Sequence, residues 1–388
     1  MDIKKLALET EAYVIERRRF YHQYPQLTHE EKETRDFIHK DLEALGITDI
    51  VDAPGEVYGL YADIHGAKPG KTVALRADID ALPVPEETGA PYASKYPGKM
   101  HACGHDCHIA MALGAAKILN SIKDELCGTV RMIFQPSEED VSGANAMIAN
   151  GCLEGVDAIY GAHIWGTVDA GKIDVTYGPR MAYAGFFDII IEGVSAHGSA
   201  PNLGIDAITV GAAVINNVQQ YVSRINNPLN PLVCTIGTIH GGTRFNVIPN
   251  KVVMGGTLRA FSAERHKEVL QRIVENTAAA FGAKGTLVYT DMIGPVHNNQ
   301  KDLVELAQSA VGKICGPDAV THIPAGLGSE DFASYVAKVP GVFAFIGSRN
   351  EEKGIIYTNH HEKYDVDESV LKNGAGVMAQ FAFDFLNK

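Results

Sequence analysis

Predicted strands and helices alternate along this chain, and one block with a different order interrupts them. Strand-like apolar runs alternate with helical spacing from residue 58 to residue 162 and again after residue 297. Such alternation is typical of an α/β layer with a largely parallel sheet. Residues 184–297 instead follow the order βαββαβ, which is that of a ferredoxin-like unit. We therefore expect an α/β domain of residues 1–183 and 298–388, interrupted by a smaller α+β domain of residues 184–297.

The chain is predicted to open with two helices. Residues 3–24 have helical apolar spacing, and Thr28 with Glu31 matches a T-x-x-E capping box that would start a second helix ending at Gly46. The α/β pattern then predicts strands over 58–64, 72–77, 129–134, 158–162 and 342–346, with helices over 108–119, 144–149, 303–314 and 331–336 and from residue 368. The interrupting block predicts strands over 186–192, 232–239, 251–260 and 285–291, with helices over 206–222 and 264–281.

Composition narrows the class of protein and of partner. The 388 residues include 46% hydrophobic and 21% charged residues, which are values of a folded globular chain. Lys and Arg number 34 against 47 Asp and Glu, giving a net charge of −13 without a dense basic run, so a nucleic-acid partner is not expected. No stretch approaches the roughly 20 apolar residues of a membrane span. A small molecule is the expected partner.

The cysteines and the first residues favour the cytoplasm. The N-terminal residues mix charged with apolar positions and contain no apolar core of a secretory signal. Six cysteines in so long a chain do not form a disulfide framework and are better interpreted as reduced thiols or ligands.

The densest group of metal-ligating residue types lies just before a predicted helix. Three imidazoles, two thiols and a carboxylate fall within eight positions, at His101, Cys103, His105, Asp106, Cys107 and His108. Cys with His favours Zn, Mn, Co or Ni over Mg or Ca. A structural zinc site is a less favoured alternative, because such sites usually present C-x-x-C pairs and none occurs here. A core or surface role is the alternative for any one of these residues.

Further candidates follow predicted strands. Asp78 ends one strand, the pair Glu138 and Glu139 follows another, and His163 ends a third. Side chains at the carboxyl ends of parallel strands point into the crevice where α/β proteins bind ligands. Adjacent carboxylates can divide the work, one binding metal and its neighbour acting as general base. With the Asn359-His360-His361 segment, these positions predict one convergent site.

These segments resemble a known family. The resemblance to the M20 metallopeptidase superfamily, and within it to the amidohydrolase branch of hippurate hydrolases, auxin-conjugate hydrolases and N-acetyldiaminopimelate deacetylases, is carried by MHACGHDCH, QPSEE, GAHIWG, RADIDALP, SAHGSAP, NVIPN with GTLRA, and GSEDFASY. It extends from Arg19 and Pro25 to Glu368 and so covers nearly the whole chain. It implies a metal-binding catalytic domain and an inserted lid domain, residues 184–297, through which such proteins often form homodimers or higher homo-oligomers.

The resemblance also implies two divalent transition-metal ions, which could be Mn, Zn, Co or Ni. Their implied ligands are Cys103, His105, Glu139, His163 and His360. His360 is preferred to His361 because the family's ligand stands four residues before an aromatic, here Tyr364, although the usual proline two residues after the ligand is replaced by Glu362.

The same resemblance implies roles for other side chains. Glu138 corresponds to the general base and Asp78 to a carboxylate that orients the site. In other branches a metal-ligating His stands two residues before that Asp, whereas this chain has Arg76. From the lid, His197 would polarise the scissile carbonyl, often across a dimer. Asn246 and Arg259 would bind the substrate carboxylate, for which Arg offers a bidentate fork.

The implied activity is hydrolysis of the amide bond in N-acyl or aminoacyl amino acids by metal-activated water, with Glu138 moving the proton. A dipeptidase or carboxypeptidase could use the same centre, and a requirement for a free α-amino group would distinguish it. A non-catalytic metal-binding homologue is the third possibility. Loss of the base or of several ligands would support that possibility, but all of them are present in the sequence.

Overall fold

The computed structural model describes every residue from Met1 to Lys388. Its nine α-helices are α1 (Ile3–Gln23), α2 (Lys32–Ala44), α3 (His105–Ser121), α4 (Gly143–Ala149), α5 (Ala207–Gln220), α6 (Glu264–Ala280), α7 (Lys301–Cys315), α8 (Phe332–Val336) and α9 (Leu371–Leu386). Its sixteen strands are β1 (Ile50–Asp52), β2 (Leu60–His65), β3 (Lys68–Asp78), β4 (Cys127–Gln135), β5 (Ala158–Asp169), β6 (Ile173–Asp174), β7 (Gly178–Met181), β8 (Tyr183–Glu192), β9 (Ala196–His197), β10 (Leu232–Gly241), β11 (Val247–Ile248), β12 (Lys251–Ala260), β13 (Lys284–Ile293), β14 (Val296–Asn298), β15 (Val320–Thr321) and β16 (Gly341–Arg349).

The chain divides into two compact units. The first comprises Met1–Gly178, His297–Pro324 and Asp331–Lys388, and the second comprises Pro179–Val296 with Ala325–Glu330. The sequence places the division at residues 183 and 297, and it leaves residues 325–330 with the first domain. None of the helices has an apolar stretch of the length that crossing a membrane requires.

An eight-stranded sheet forms the centre of the first unit, in the order β1-β2-β4-β3-β5-β16-β6-β15. Its four middle strands, β4, β3, β5 and β16, are mutually parallel. β1 and β2 pair antiparallel with their neighbours, and β6 pairs antiparallel with β16 but parallel with β15. β3, β4 and β16 are almost continuously buried along their second halves and β5 along its first half, as parallel strands covered on both faces are. The expected α/β class with a largely parallel central sheet is confirmed.

Helices cover this sheet and bury its core. α1, α3 and α9 pack on one another, α3 and α9 also contact β3, and α4 and α8 contact β4, β5 and β16. α3 is buried from His105 to Ala116, because the residues after its polar first turn are apolar or small on every side, and Lys117 and Asn120 in its last turns lie outside the core. That first turn holds His105 and Asp106, so the polar start of a buried helix lies inside the unit.

The second unit has its own sheet and core. Strands β10, β12, β8 and β13 form an antiparallel sheet in that order, and α5 and α6 pack on each other and on β12 and β13. In chain order these elements follow the βαββαβ pattern expected from the sequence. A separate two-stranded sheet pairs β9 with β11 and sets His197 opposite Val247.

The capping box predicted for the second helix is wrong. α2 begins at Lys32, and the preceding Glu31 makes no capping hydrogen bond through its side chain. The Thr28 hydroxyl instead donates to Asp80, and the Glu31 carboxylate accepts from Ser137. Both side chains are therefore engaged by distant segments rather than by the helix they precede.

Candidate metal centre

The candidate site of the first unit lies where the parallel strands end and α3 begins. β3 ends at Asp78, which is in parallel register with Gln135 at the end of β4. His163 lies on β5, which pairs with β3 on its other side. Gly104 precedes α3 with a φ of 92°, and a Cβ there would lie 2.3 Å from the Ile164 side chain. Only glycine fits this left-handed turn, which leads from Cys103 to His105.

Two groups of potential ligands share the thiol of Cys103. One group is Cys103, His105 and His163, and the other is Cys103, Glu139 and His360. Within each group the donor atoms lie within 4.8 Å of one another. The Cys103 Sγ is 3.4 Å from His163 Nε2 and 3.2 Å from His360 Nε2. A sulfur common to two ligand sets can serve two metal ions at once.

The Glu138 and Glu139 carboxylates converge on one nitrogen of His105. His105 Nε2 is 4.0 Å from an oxygen of each glutamate and 3.8 Å from Asp78 Oδ2. The His105 Nε2 atom is buried and has no hydrogen-bond partner, and the same is true of Glu139 Oε1. Buried polar atoms are normally satisfied, and sulfur, imidazole and carboxylate donors together suit transition metals. The residues present therefore fit the implied metal ions.

The pKa values report an excess of negative charge at this site. Burial alone lowers the pKa of an imidazole, yet the carboxylates of Asp78 and Asp80 raise that of His105 to about 10. Burial raises the pKa of Glu139 to about 7. Burial, with Glu139 and Glu138, also raises the pKa of the Cys103 thiol well above its usual value. Divalent cations would compensate this charge, and without them Cys103 is a neutral thiol and a poor nucleophile.

Neighbouring oxygen atoms fix the orientation of the imidazoles. His105 Nδ1 lies 2.9 Å from the Asp80 carbonyl oxygen and 3.2 Å from Asp80 Oδ1. His163 Nδ1 donates to the Ile164 carbonyl at 2.6 Å. With the proton on Nδ1, the lone pair of Nε2 in both rings is free to ligate a metal ion beside the shared thiol. Metal-ligating histidines are commonly held in this way.

Arg76 stands where other branches of the superfamily have a ligating His, and it has a different function here. Its guanidinium is buried and donates to Asp78 at 2.5 Å, to Gln135 at 2.8 Å and to Asp331 at 2.8 Å. Burial favours the neutral acid, but the charge of Arg76 helps to hold the pKa of Asp78 well below its usual range. Arg76 therefore keeps Asp78 ionised and ties β3 to the segment before α8.

His108 connects two strand ends and is held in one tautomer. The Ile164 N–H donates to His108 Nε2 at 2.8 Å, so Nε2 is the acceptor and the ring proton is on Nδ1. That proton is donated to Asp78 Oδ1 in a short hydrogen bond. With both nitrogens engaged, His108 orients Asp78 and the backbone beside His163.

The segment near the C-terminus brings His360, not His361, to the cysteine. His360 Nε2 lies 3.7 Å from Glu139 Oε1, and the His360 N–H donates to the Ala102 carbonyl at 2.7 Å. The His361 ring instead stacks on Tyr357 with the ring centroids 4.3 Å apart. Asn359 braces this arrangement by donating to the Cys103 carbonyl at 2.9 Å.

The other expected residues lie in the second unit. His197 is exposed on β9, and its Nδ1 accepts from the Ser199 N–H at 3.2 Å, which leaves the ring proton on Nε2. Asn246 precedes β11, and its Oδ1 is buried without a hydrogen-bond partner. Arg259 is half-buried on β12 and forms no ion pair, and its guanidinium donates only a long hydrogen bond of 3.5 Å to the Leu258 carbonyl. The three side chains thus have unused hydrogen-bonding capacity.

Three residues that support the site had no role predicted from the sequence. Asp80 and His108 stand inside RADIDALP and MHACGHDCH, and Asp331 stands inside GSEDFASY. The signal for Asp80 was its position two residues beyond Asp78, because alternate residues of an extended segment share a face. No pattern in the sequence could show that Asp331 binds Arg76, because 255 positions separate them.

Comparisons with known proteins identify the family to which the chain belongs. The sequence pattern of Peptidase family M20/M25/M40 matches residues 74–384. Thermostable carboxypeptidase 1 of Saccharolobus solfataricus is 39% identical over 391 residues, covering 100% of this chain and 98% of the relative. N-acetyl-L-cysteine deacetylase of Bacillus subtilis is 40% identical over 357 residues, covering 91% and 83% respectively.

A solved structure shows the same fold over the whole chain. The Bacillus subtilis YXEP protein, a dinuclear metal-binding peptidase from the M20 family, matches with a TM-score of 0.86 at 35% identity, covering 98% of this chain and 99% of that one. The family inferred from the motifs is confirmed. This chain belongs to peptidase family M20/M25/M40.

Proposed function

We propose that this protein is a metal-dependent amidohydrolase that cleaves the amide bond of N-acyl or aminoacyl amino acids. The observation that carries the proposal is the pair of ligand groups that share Cys103, with the Glu138 carboxylate 4.0 Å from His105 Nε2. Relatives named as a deacetylase and as a carboxypeptidase support hydrolysis of C–N bonds.

The ligand set consists of Cys103, His105, Glu139, His163 and His360, and it would hold two divalent transition-metal ions. Support comes from the shared sulfur and from the neighbour with a dinuclear metal site. Such ions polarise a carbonyl and lower the pKa of a water molecule toward neutrality. Asp78, held by Arg76 and His108, keeps a negative charge 3.8 Å from His105 Nε2.

Glu138 is the proton carrier in this proposal. Its carboxylate is buried beside the ligand cluster and lies next to Glu139 in the chain. It accepts a proton from the attacking water as the oxygen–carbon bond forms. It then delivers that proton to the amine nitrogen as the C–N bond breaks.

The second unit supplies substrate contacts in this proposal. His197 Nε2–H donates to the carbonyl oxygen as negative charge develops there, in the manner of an oxyanion donor. Arg259, which has no carboxylate partner of its own, pairs with the substrate carboxylate, and Asn246 adds a hydrogen bond. The homodimer in which His197 would act across subunits, and the cytoplasmic location, stay predictions from the sequence.

A hydrolysis panel tests the proposal. N-acetyl, N-benzoyl and aminoacyl amino acids would be offered to Mn- or Zn-loaded protein, and amine release would be measured. We expect turnover of substrates with a free carboxylate and a much lower kcat/KM for the matched C-terminal amides, because Arg259 needs an anion. Absence of hydrolysis across the panel, by protein with measured metal content, would contradict the proposal.

A dipeptidase or carboxypeptidase is the second candidate, and it is favoured by the 39% identity to a thermostable carboxypeptidase. The same panel separates a dipeptidase from an N-acyl amidohydrolase. A dipeptidase requires the free α-amino group of an aminoacyl substrate, whereas an N-acyl amidohydrolase accepts the blocked N-acetyl and N-benzoyl groups.

His197→Ala should lower kcat with little change in KM. The lost donor acts on charge that develops only in the transition state, so we expect a decrease on the order of 10²–10³-fold. Steady-state kinetics of the metal-loaded variant measure it. His240→Ala is the matched control, since His240 is also an exposed imidazole of the second unit, on β10. An unchanged kcat in His197→Ala would remove this residue from the mechanism.

A further inference from the structure

The loop before α2 contacts the segments that carry the ligands of the candidate centre. The Ala81 N–H donates to the Gln26 carbonyl at 2.8 Å, and the Thr28 hydroxyl donates to Asp80 Oδ2 at 2.9 Å. The same Asp80 oxygen accepts the Glu139 N–H at 3.0 Å. The Asp80 carboxylate therefore links the loop to the backbone of Glu139 by hydrogen bonds.

The glutamate pair follows a residue with an unfavourable backbone conformation. Ser137 has a φ of 54°, in the left-handed region that residues with a side chain seldom occupy. The turn also closes tightly, because the Gly143 N–H donates to the Ser137 carbonyl at 3.0 Å. Such a conformation is energetically unfavourable and persists only where surrounding contacts hold it.

Glu31 accepts two of the hydrogen bonds that hold this turn. Its Oε1 accepts the Ser137 N–H at 2.8 Å and the Ser137 hydroxyl at 3.0 Å. The side chain is completely buried, and its Oε2 has no hydrogen-bond partner. A carboxylate buried in this way is costly, so its retention requires a compensating contact. The contacts observed are those to Ser137, immediately before Glu138.

We propose that Glu31 is a positioning residue that acts through Ser137, holding the left-handed turn that places the Glu138 and Glu139 carboxylates. The inference rests on the proposed function for the roles of these two glutamates. Glu31 itself touches neither the ligand atoms nor the reacting groups. This positioning role explains why Glu31 of the T-x-x-E segment does not cap α2.

Hydrogen exchange in the metal-free protein tests the positioning without any activity. Glu31→Ala should increase amide exchange in the peptide spanning residues 135–143, because the Ser137 N–H loses its acceptor. Ile38→Ala is the control, since Ile38 is fully buried on the adjacent α2 and lies in the hydrophobic core. It should destabilise the protein without selectively exposing this peptide. Equal exchange of the peptide in Glu31→Ala and wild type would overturn the proposal.

Kinetics of the metal-loaded variants give a second readout. Glu31→Ala should lower kcat roughly 10–100-fold, as removal of supporting contacts around metal sites does, with KM nearly unchanged. Glu31→Gln keeps an oxygen that can accept the Ser137 N–H and should retain most of the activity. Glu31→Asp keeps the charge but is one methylene shorter, and it should resemble Glu31→Ala; it replaces that variant if the latter does not fold.

The double variant with Ser137→Gly isolates the mechanism. Glycine adopts a positive φ at little cost, so the turn should depend less on Glu31 when glycine stands at 137. We expect Glu31→Ala to reduce kcat several-fold less in the Ser137→Gly background than in wild type. Equal losses in both backgrounds would show that Glu31 does not act through the turn.

If wild-type protein hydrolyses no substrate, the proposed function fails, whereas the exchange experiment still decides the role of Glu31.

Discussion

Removal of divalent metal is expected to abolish amide hydrolysis, and Mn²⁺, Co²⁺ or Zn²⁺ is expected to restore it. The physical reason is the buried donor set of thiol, imidazole and carboxylate groups, in which His105 Nε2 and Glu139 Oε1 lack a hydrogen-bond partner. Activity and metal content would be measured together after exhaustive chelation and again after titration with each ion. Mg²⁺ is a matched control, since it prefers oxygen ligands and should restore little.

Retention of metal should weaken as the pH falls. Charge and burial raise the pKa of His105 to about 10 and that of Glu139 to about 7, so the metal-free site holds protons that a cation must displace. His105 carries its proton throughout the neutral range, and Glu139 also becomes protonated below about pH 7. Affinity should therefore fall with decreasing pH, most steeply below that value, in equilibrium dialysis at several pH values. Full turnover by protein shown to be metal-free would refute metal dependence.

The sequence predicted the convergence of site residues because that convergence follows from topology. Parallel strands end at one edge of a sheet, so residues that follow successive strands must approach one another. Asp78 at the end of β3 and Glu138 after β4 meet this condition. His163 is expected from the sequence at a strand end, but β5 continues to Asp169, and His163 lies two residues beyond Gly161, the last residue that pairs with β3. No contact between side chains had to be known in advance.

The contacts that support the ligands could not be predicted in the same way. Thr28 and Glu31 match a local capping pattern, but capping competes with tertiary contacts that a sequence pattern does not contain. Thr28 instead donates to Asp80, and Glu31 accepts from Ser137, so both side chains bind distant parts of the chain. The preference for His360 over His361 came from the family spacing to Tyr364, and His360 is the residue that lies 3.2 Å from Cys103 Sγ, in a loop with a φ of 72° at His360.

The boundary of the second unit shows the same limit. Residues 325–330 are separated from residues 179–296 in the chain, yet they belong to one compact unit with them. The Gly326 N–H donates to the Arg180 carbonyl at 2.9 Å, and the Ala182 N–H donates to the Gly328 carbonyl at 2.8 Å. A short glycine-rich segment without its own periodicity gives no sign in the sequence of which sheet it accompanies.

Glu138→Gln and Glu139→Gln should fail in different ways, although the residues are adjacent and chemically alike. Glu138→Gln keeps the size and polarity of the side chain but cannot take a proton from water, so kcat should drop on the order of 10²–10⁴-fold at near-normal metal content. Glu139→Gln replaces an anionic ligand with a neutral amide, so metal retention and kcat should fall together. Metal stoichiometry and steady-state kinetics of both variants measure the difference.

The geometry around Cys103 gives the reason for expecting this assignment rather than its reverse. Glu139 belongs to the ligand group of Cys103 and His360, and its Oε1 lies 3.7 Å from His360 Nε2. Both glutamates approach His105 Nε2 equally, at 4.0 Å, so His105 does not distinguish them. Gln308→Ala is a control, because that side chain contacts the Val175 carbonyl on the α7 side of the unit. If Glu138→Gln lost its metal while Glu139→Gln kept it, the roles of base and ligand would have to be exchanged.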